Sequence, residues 1–130
     1  MNIAIVCGAR PNFIKVAPII RTIRNNKNYS AVNYQLIYTG TVDDPSLETS
    51  LFTDLEIGRP DVFLDVDCEN LNELTGQVMS KFEQYLQQHP TDVVIVVDDL
   101  ASTMATAIVT KKQGIKLAHI AAGTRSFDIN

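Results

Sequence analysis

Only two cysteines, Cys7 and Cys68, occur in the 130 residues, too few for a disulfide framework. Both are expected to be reduced and partly buried, behaving as small hydrophobes. No apolar run reaches the length of a membrane span, and the first residues read as a strand without a charged segment before it. A membrane partner is therefore not expected, and the predicted location is the cytoplasm. Positive charge is scarce as well: 11 Lys and Arg face 15 Asp and Glu, for a net charge of −4. No basic stripe is available to displace counterions, which argues against nucleic acid as a partner. Repeats, low-complexity segments and internal linkers are missing. What remains, 45% hydrophobic and 20% charged residues, is the composition of an α/β domain, and the length fits one domain over residues 1–130.

Apolar runs and amphipathic stretches alternate along the chain. Asn2 to Cys7 reads as a strand buried on both faces, and Asn12 to Asn26 as a helix with Phe13, Val16, Ala17, Ile20 and Ile23 at helical spacing. Pro18 is expected to fall in that helix's first turns. Asn33 to Thr39 predicts a second strand, Ser46 to Leu55 a short helix capped by Ser46, and Val62 to Val66 a third strand. A long helix follows over Asn72 to His89, closed by the His89-Pro90 step. Asp92 to Val97 is continuous and β-branched, as a central parallel strand requires. Ser102 to Gln113 predicts a helix ended by Gly114, and Ile115 to Ile120 a fifth strand.

This alternation predicts an α/β fold, a doubly wound parallel sheet of about five strands with right-handed crossovers and the order 3-2-1-4-5. Ligands of such sheets bind beyond the carboxyl ends of the strands, where the strand order reverses. That edge collects most residues with chemical potential: Arg10 after strand one, Asp43 and Asp44 after strand two, Asp67 and Glu69 after strand three. Asp98, Asp99, Ser102 and Thr103 follow strand four, and Arg125, Ser126 and Asp128 follow strand five. The order predicts that the turns at Arg10 and Asp99 meet.

The first turn, Gly8-Ala9-Arg10-Pro11, has one glycine where the dinucleotide fingerprint needs three. Gly8 is expected to permit a sharp turn, and Pro11 suits a first helical position. Free N–H groups at the helix start, with Arg10 and Lys15 beside them, form a candidate anion-binding corner, or two solvated surface charges. Asp98-Asp99 reads as a general base, part of a metal site or a helix-capping pair. A phosphoacceptor receiver domain is rejected, because its acidic pair would follow strand one, where Gly8-Ala9-Arg10 stands. His119 lies in an apolar strand and reads as a rim or core histidine or as a site residue. Arg125-Ser126 can hold an anion or solvate a turn. Tyr34 and Tyr38 read as packing, and Asp43 to Glu48 as a solvated loop.

Taken together, five elements resemble the non-hydrolysing UDP-N-acetylglucosamine 2-epimerase family. GARPNFIKVAP at Gly8 to Pro18 is similar to the family's G-x-R-P-x-x-I/M-K-x-A-P, and Tyr38-Thr39-Gly40 sits where the family has a T-G-Q-H loop. Thr75-Gly76 and the helix after it fit the segment before the family's central strand. DVVIVVDDLAST at Asp92 to Thr103 resembles D-x-V-x-V-x-G-D-x-x-S-T, and HIAAGTRSFD at His119 to Asp128 resembles H-V-E-A-G-L-R-S-x-D. The resemblance spans the whole chain but only about the first third of the family's usual length. It implies one Rossmann-like domain, half of a GT-B-type two-domain enzyme, with the second, uridine-binding domain absent.

The resemblance further implies interconversion of UDP-GlcNAc and UDP-ManNAc. A base removes the proton at C2, UDP leaves C1, and the enzyme-held glycal takes UDP back with inversion at C2. Arg10 and Lys15 would hold the nucleotide-sugar phosphates, Asp99 would be the catalytic acid/base, and His119, Arg125 and Ser126 would support the cleft floor. No metal or cofactor is implied. Departures from the pattern cut against activity of the isolated chain. The family's glutamate in the fifth element is Ala121, its glycine before the catalytic aspartate is Asp98, its loop histidine is Val42, and its leucine before the arginine is Thr124. Asp98 crowds a site that must admit a pyrophosphate and would repel it. The alternatives are a non-catalytic interaction module of the same descent, or a weak nucleotide-sugar or phosphate binder retaining the Arg10 and Lys15 corner. With the fifth strand at an edge, a homodimer or a partner chain is expected to cover it.

Overall fold

The computed structural model describes residues 1–120. The first strand, β1 (Asn2–Cys7), leads into α1 (Arg10–Asn25), and β2 (Asn33–Tyr38) follows a short 3-10 turn at Lys27–Tyr29. Next come α2 (Thr49–Leu55), β3 (Val62–Phe63), α3 (Leu71–Gln88), β4 (Val93–Val97), α4 (Ala101–Lys112) and β5 (Lys116–Ile120). Every pairing is parallel, and the sheet order β3-β2-β1-β4-β5 is the one the sequence predicts. Among the described residues no helix is long and apolar enough to cross a membrane.

Two apolar layers explain the unbroken hydrophobic runs. Ile5, Cys7, Ile95 and Val97 face one way and pack with Phe13, Val16 and Ile20 of α1 and Leu51 and Phe52 of α2. Ala4, Val6, Val94 and Val96 face the other way, against Val78, Phe82 and Leu86 of α3 and Ala105 and Val109 of α4. A strand covered on both faces has no use for polar alternation. Cys7 belongs to this core, where burial pushes its thiol far above the ordinary range, and both cysteines are unpaired.

Local boundaries differ from expectation in four places. Ala9 is extended and α1 starts at Arg10, so Pro18 lies two turns inside the helix rather than in its first turns. Pro18 and Ile14 are both exposed, so the carbonyl that loses its partner faces solvent, which limits the cost. Ser46 does not cap α2, which begins at Thr49 after Glu48; its amide and hydroxyl both bond Asp44 instead. The third strand stops at Phe63 because Asp65 turns into the left-handed region at φ +62°. The amides of Leu64, Asp65 and Val66 nevertheless reach the carbonyls of Tyr38, Gly40 and Thr39. Finally, the fifth strand begins at Lys116, with Ile115 packed against the α3–α4 layer.

Gly8 is required for close approach, not for a left-handed turn. A Cβ placed there would lie 2.1 Å from Ser102 Oγ and 3.2 Å from Ser102 Cβ, in the first turn of α4. The bare glycine thus lets α4 settle onto the β1–α1 turn. Gly8→Ala should destabilise the domain by about 1 kcal/mol, the low end for overpacking because a serine hydroxyl can rotate away. Adding Ser102→Ala should recover most of that loss in urea unfolding. A double variant as weak as Gly8→Ala alone would place the need for glycine in the backbone.

Candidate functional site

β1 and β4 are neighbours in register, Val6 opposite Val96, so the turns leaving their carboxyl ends meet. The first turn is organised by Asn12, which is 1% exposed. Its Oδ1 accepts from the Gly8 amide at 2.8 Å, and its Nδ2 donates to Asp98 Oδ2 at 3.0 Å. One turn along α1, Lys15 Nζ donates to both oxygens of the same carboxylate, at 2.8 and 3.0 Å. Asp98 reaches them from a left-handed backbone at φ +60°. On its other side, His119 Nε2 donates to the Asp98 carbonyl, and Thr103 Oγ1 donates to the Val97 carbonyl at 2.7 Å. The corner is therefore one hydrogen-bonded chain from Gly8 through Asn12 and Asp98 to Lys15 and His119.

Arg10 points away from this chain. Its Nη1 donates to the Ser46 carbonyl at 2.8 Å and to Glu48 Oε1 at 3.1 Å. The two side chains are 42% and 60% exposed, so the ion pair contributes at most about 1 kcal/mol and an incoming anion can compete for the guanidinium. The expected two-cation corner is thus split, Lys15 toward Asp98 and Arg10 toward the β2–α2 loop. Asp99 is exposed and makes no hydrogen bond among the described residues. Neither aspartate caps α4, whose N-cap is Leu100 without a side-chain bond. Ala121, Thr124, Arg125 and Ser126 lie outside the described residues. Among those described, no three His, Cys, Asp or Glu side chains gather as a metal site would need.

Sequence reasoning missed Asn12 and the order of the acidic loop. Asn12 carries no motif of its own, and its link to Asp98 joins residues 86 apart. The loop from Asp43 to Glu48 is tied down, not merely solvated. Tyr38 donates its hydroxyl to Asp44 Oδ2 at 2.6 Å, and Arg59 donates to the Leu47 carbonyl at 3.1 Å while its guanidinium stacks over Phe52. Open concavities of about 700 and 360 Å³ exist elsewhere, one at Pro18, Arg21 and Asn25, the other at Tyr34, Tyr85 and His89. Neither touches the corner; the first carries Arg21 and Lys27, but it opens at the far end of α1, away from the carboxyl edge of the sheet.

The Tyr38 hydroxyl, then the Ser46 amide and hydroxyl, hold the Asp44 carboxyl below its ordinary value of 3.8. A depressed folded value means stability that is present above 3.8 and lost as pH falls through the lowered value. Wild type should therefore lose more stability on acidification through that range than Asp44→Asn does, in thermal melts. Parallel acid curves for the two proteins would show that Asp44 adds nothing in its ionised form.

Comparison with known proteins agrees with this architecture. The family model described as UDP-N-acetylglucosamine 2-epimerase matches residues 24–130, more than half of the chain. A UDP-N-acetylglucosamine 2-epimerase homolog of Methanococcus maripaludis is 37% identical over 98% of this chain and 34% of its own length. The UDP-N-acetylglucosamine 2-epimerase of Methanocaldococcus jannaschii is 32% identical over 100% of this chain and 34% of its own. A crystal structure of the M. jannaschii enzyme with UDP-GlcNAc and UDP superposes with a TM-score of 0.83 at 31% identity, covering 98% of this chain and 34% of that one. The Neisseria meningitidis enzyme bound to UDP-GlcNAc gives 0.82 at 26% identity, over 98% and 34%. The chain spans about a third of the length of these relatives. With a matching profile, strand order and backbone, this chain belongs to the UDP-N-acetylglucosamine 2-epimerase family.

Proposed function

We propose that residues 1–130 form the N-terminal Rossmann-like domain of a nucleotide-sugar epimerase fold, and that this domain alone does not epimerise UDP-GlcNAc at C2. The carrying observation is the meeting of the β1–α1 and β4–α4 turns, with Lys15, Asp98 and His119 in one hydrogen-bonded chain. This is the edge where a doubly wound sheet takes its ligand. By family resemblance Arg10 and Lys15 stand at the substrate-phosphate position, with Lys15 already engaged by Asp98, Asp99 at the proton-transfer position, and His119, Arg125 and Ser126 at the floor.

Inactivity of the chain by itself is supported by the exposure of Asp99 and by the sequence of the fifth motif. Asp99 is exposed, and Ala121 stands where the family's glutamate would. Loss of one general acid or base typically removes about two to four decades of rate. The relatives' remaining two-thirds, for which the uridine pocket is expected, has no counterpart in these residues. Incubating the chain with UDP-GlcNAc in D₂O tests this, because even partial chemistry exchanges the C2 proton. No deuterium should enter above the protein-free control. Exchange at enzyme-like rates would overturn the proposal.

A second reading, an interaction module, is favoured by one surface. β5 lies at the edge of the described sheet, and beside it α4 with its N-cap exposes Leu100, Met104 and Ile108, at 37%, 51% and 43%. Their spacing of four puts them on one stripe of the helix. Among the described residues, Lys116 and His119 alone break the edge with polar groups, fewer safeguards than native edges usually carry. We place a homodimer or a partner chain on this edge and stripe, in the cytoplasmic setting that two unpaired cysteines fit. Light scattering at micromolar concentration should give more than the monomer mass, or a monomer that turns dimeric or hetero-dimeric when the partner is added. A monomer with fast hydrogen exchange at Leu117 and Ala118 under all conditions would refute the assembly.

A further inference from the structure

We infer that Asp98 is an internal anion that occupies the seat between the β1–α1 and β4–α4 turns and so decides that the corner rejects phosphate. The inference rests on the assignment of this corner as the ligand edge. It adds which residue sets its specificity, and that a phosphate site lies latent beneath it. Lys15 is the cation best placed to receive an anion from the sheet edge, yet its ammonium is held by both oxygens of Asp98 at 2.8 and 3.0 Å. The Asp98 side chain is only 15% exposed and that of Lys15 31%, so water screens this pair less than it screens Arg10 and Glu48. The second donor is spoken for too, because the buried Asn12 gives its Nδ2 to the same carboxylate. A carboxylate and a phosphate ask for the same donors, and here the carboxylate is covalently tethered and always present at the site.

The backbone supports the same reading. Asp98 sits at φ +60°, a region that glycine occupies freely and asparagine tolerates better than most side chains. The chain thus keeps a turn suited to glycine while carrying a side chain that points back into the corner. Replacing Asp98 by glycine or asparagine leaves this backbone conformation accessible, so neither variant is expected to unfold the domain. Each removes the negative charge and frees Lys15.

Titration calorimetry with inorganic pyrophosphate, and separately with UDP, at low ionic strength tests the inference. Wild type should bind in the millimolar range or not at all. Asp98→Gly and Asp98→Asn should each bind pyrophosphate about tenfold more tightly, the size of one charge-assisted hydrogen bond regained. Lys15→Met placed on top of Asp98→Gly should remove the gain. Asp54→Asn makes the same change in net charge at an exposed position of α2 and should leave binding unchanged. Thermal melts of each variant confirm that folded protein is being compared. Equal pyrophosphate binding by wild type and both Asp98 variants would overturn the inference, as would a gain that survives Lys15→Met or appears in Asp54→Asn. None of these outcomes bears on C2 exchange by wild type, so the two proposals fail separately.

Discussion

Everything at the ligand edge depends on the parallel pairing of β1 with β4. Ile3 to Val6 lie opposite Val93 to Val96, and both strands are buried on both faces. That pairing brings together two turns separated by some 90 residues of chain, and it is where the crossovers reverse direction. Burial of two β-branched strands in two apolar layers holds it, at about 25 cal/mol for each Å² of apolar surface removed from water. The polar chain above it is a consequence. Asn12 can span from the Gly8 amide to Asp98 only because the strands fix the two turns within hydrogen-bonding distance.

Electrostatics at this edge is self-contained. Among the described residues, each candidate phosphate-binding cation has an internal carboxylate, Glu48 for Arg10 and Asp98 for Lys15, so neither cation is free before a ligand arrives. The two pairs are not equivalent. Arg10 and Glu48 are exposed and exchange readily with solvent, whereas Lys15 and Asp98 are recessed and further bonded through Asn12. An acidic chain with a net charge of −4 has no spare field to draw in a doubly charged ligand, so local donors must do it. Among the described acidic groups, Asp99 stands exposed, while Asp44, Glu48 and Asp98 are engaged by Tyr38, Arg10 and Lys15.

The fold was largely legible because its signals are local. A short, unbroken β-branched VVIVV run favours a strand covered on both sides, and alternating strands and helices leave few topologies. Misreadings came where a turn-scale bond, a single dihedral or a packing contact overrode the pattern. Ser46 looked like a cap and instead serves Asp44, which Tyr38 had already claimed. Asp65 looked like strand and became a left-handed interruption. Gly8 looked like a turn residue and is in fact the floor under Ser102. None of these is visible to a periodicity argument, which registers burial and spacing but not loop bonds, single dihedrals or close contacts.

The sequence by itself determined the element types, the sheet order and the family, since hydrophobic period, turn residues and motif spacing are properties of short stretches of chain. Which groups touch was decided only in three dimensions. Lys15 and Asp98 are 83 residues apart, and no local pattern says that they will bond. Sequence marked Arg10 and Lys15 as equal partners in one anion corner. Tertiary structure separated them, because the β1–β4 pairing sets Asp98 beside Lys15 while the β2–α2 loop sets Glu48 beside Arg10. The physical reason is range: backbone propensity acts over a few residues, whereas charge pairing follows distance in space.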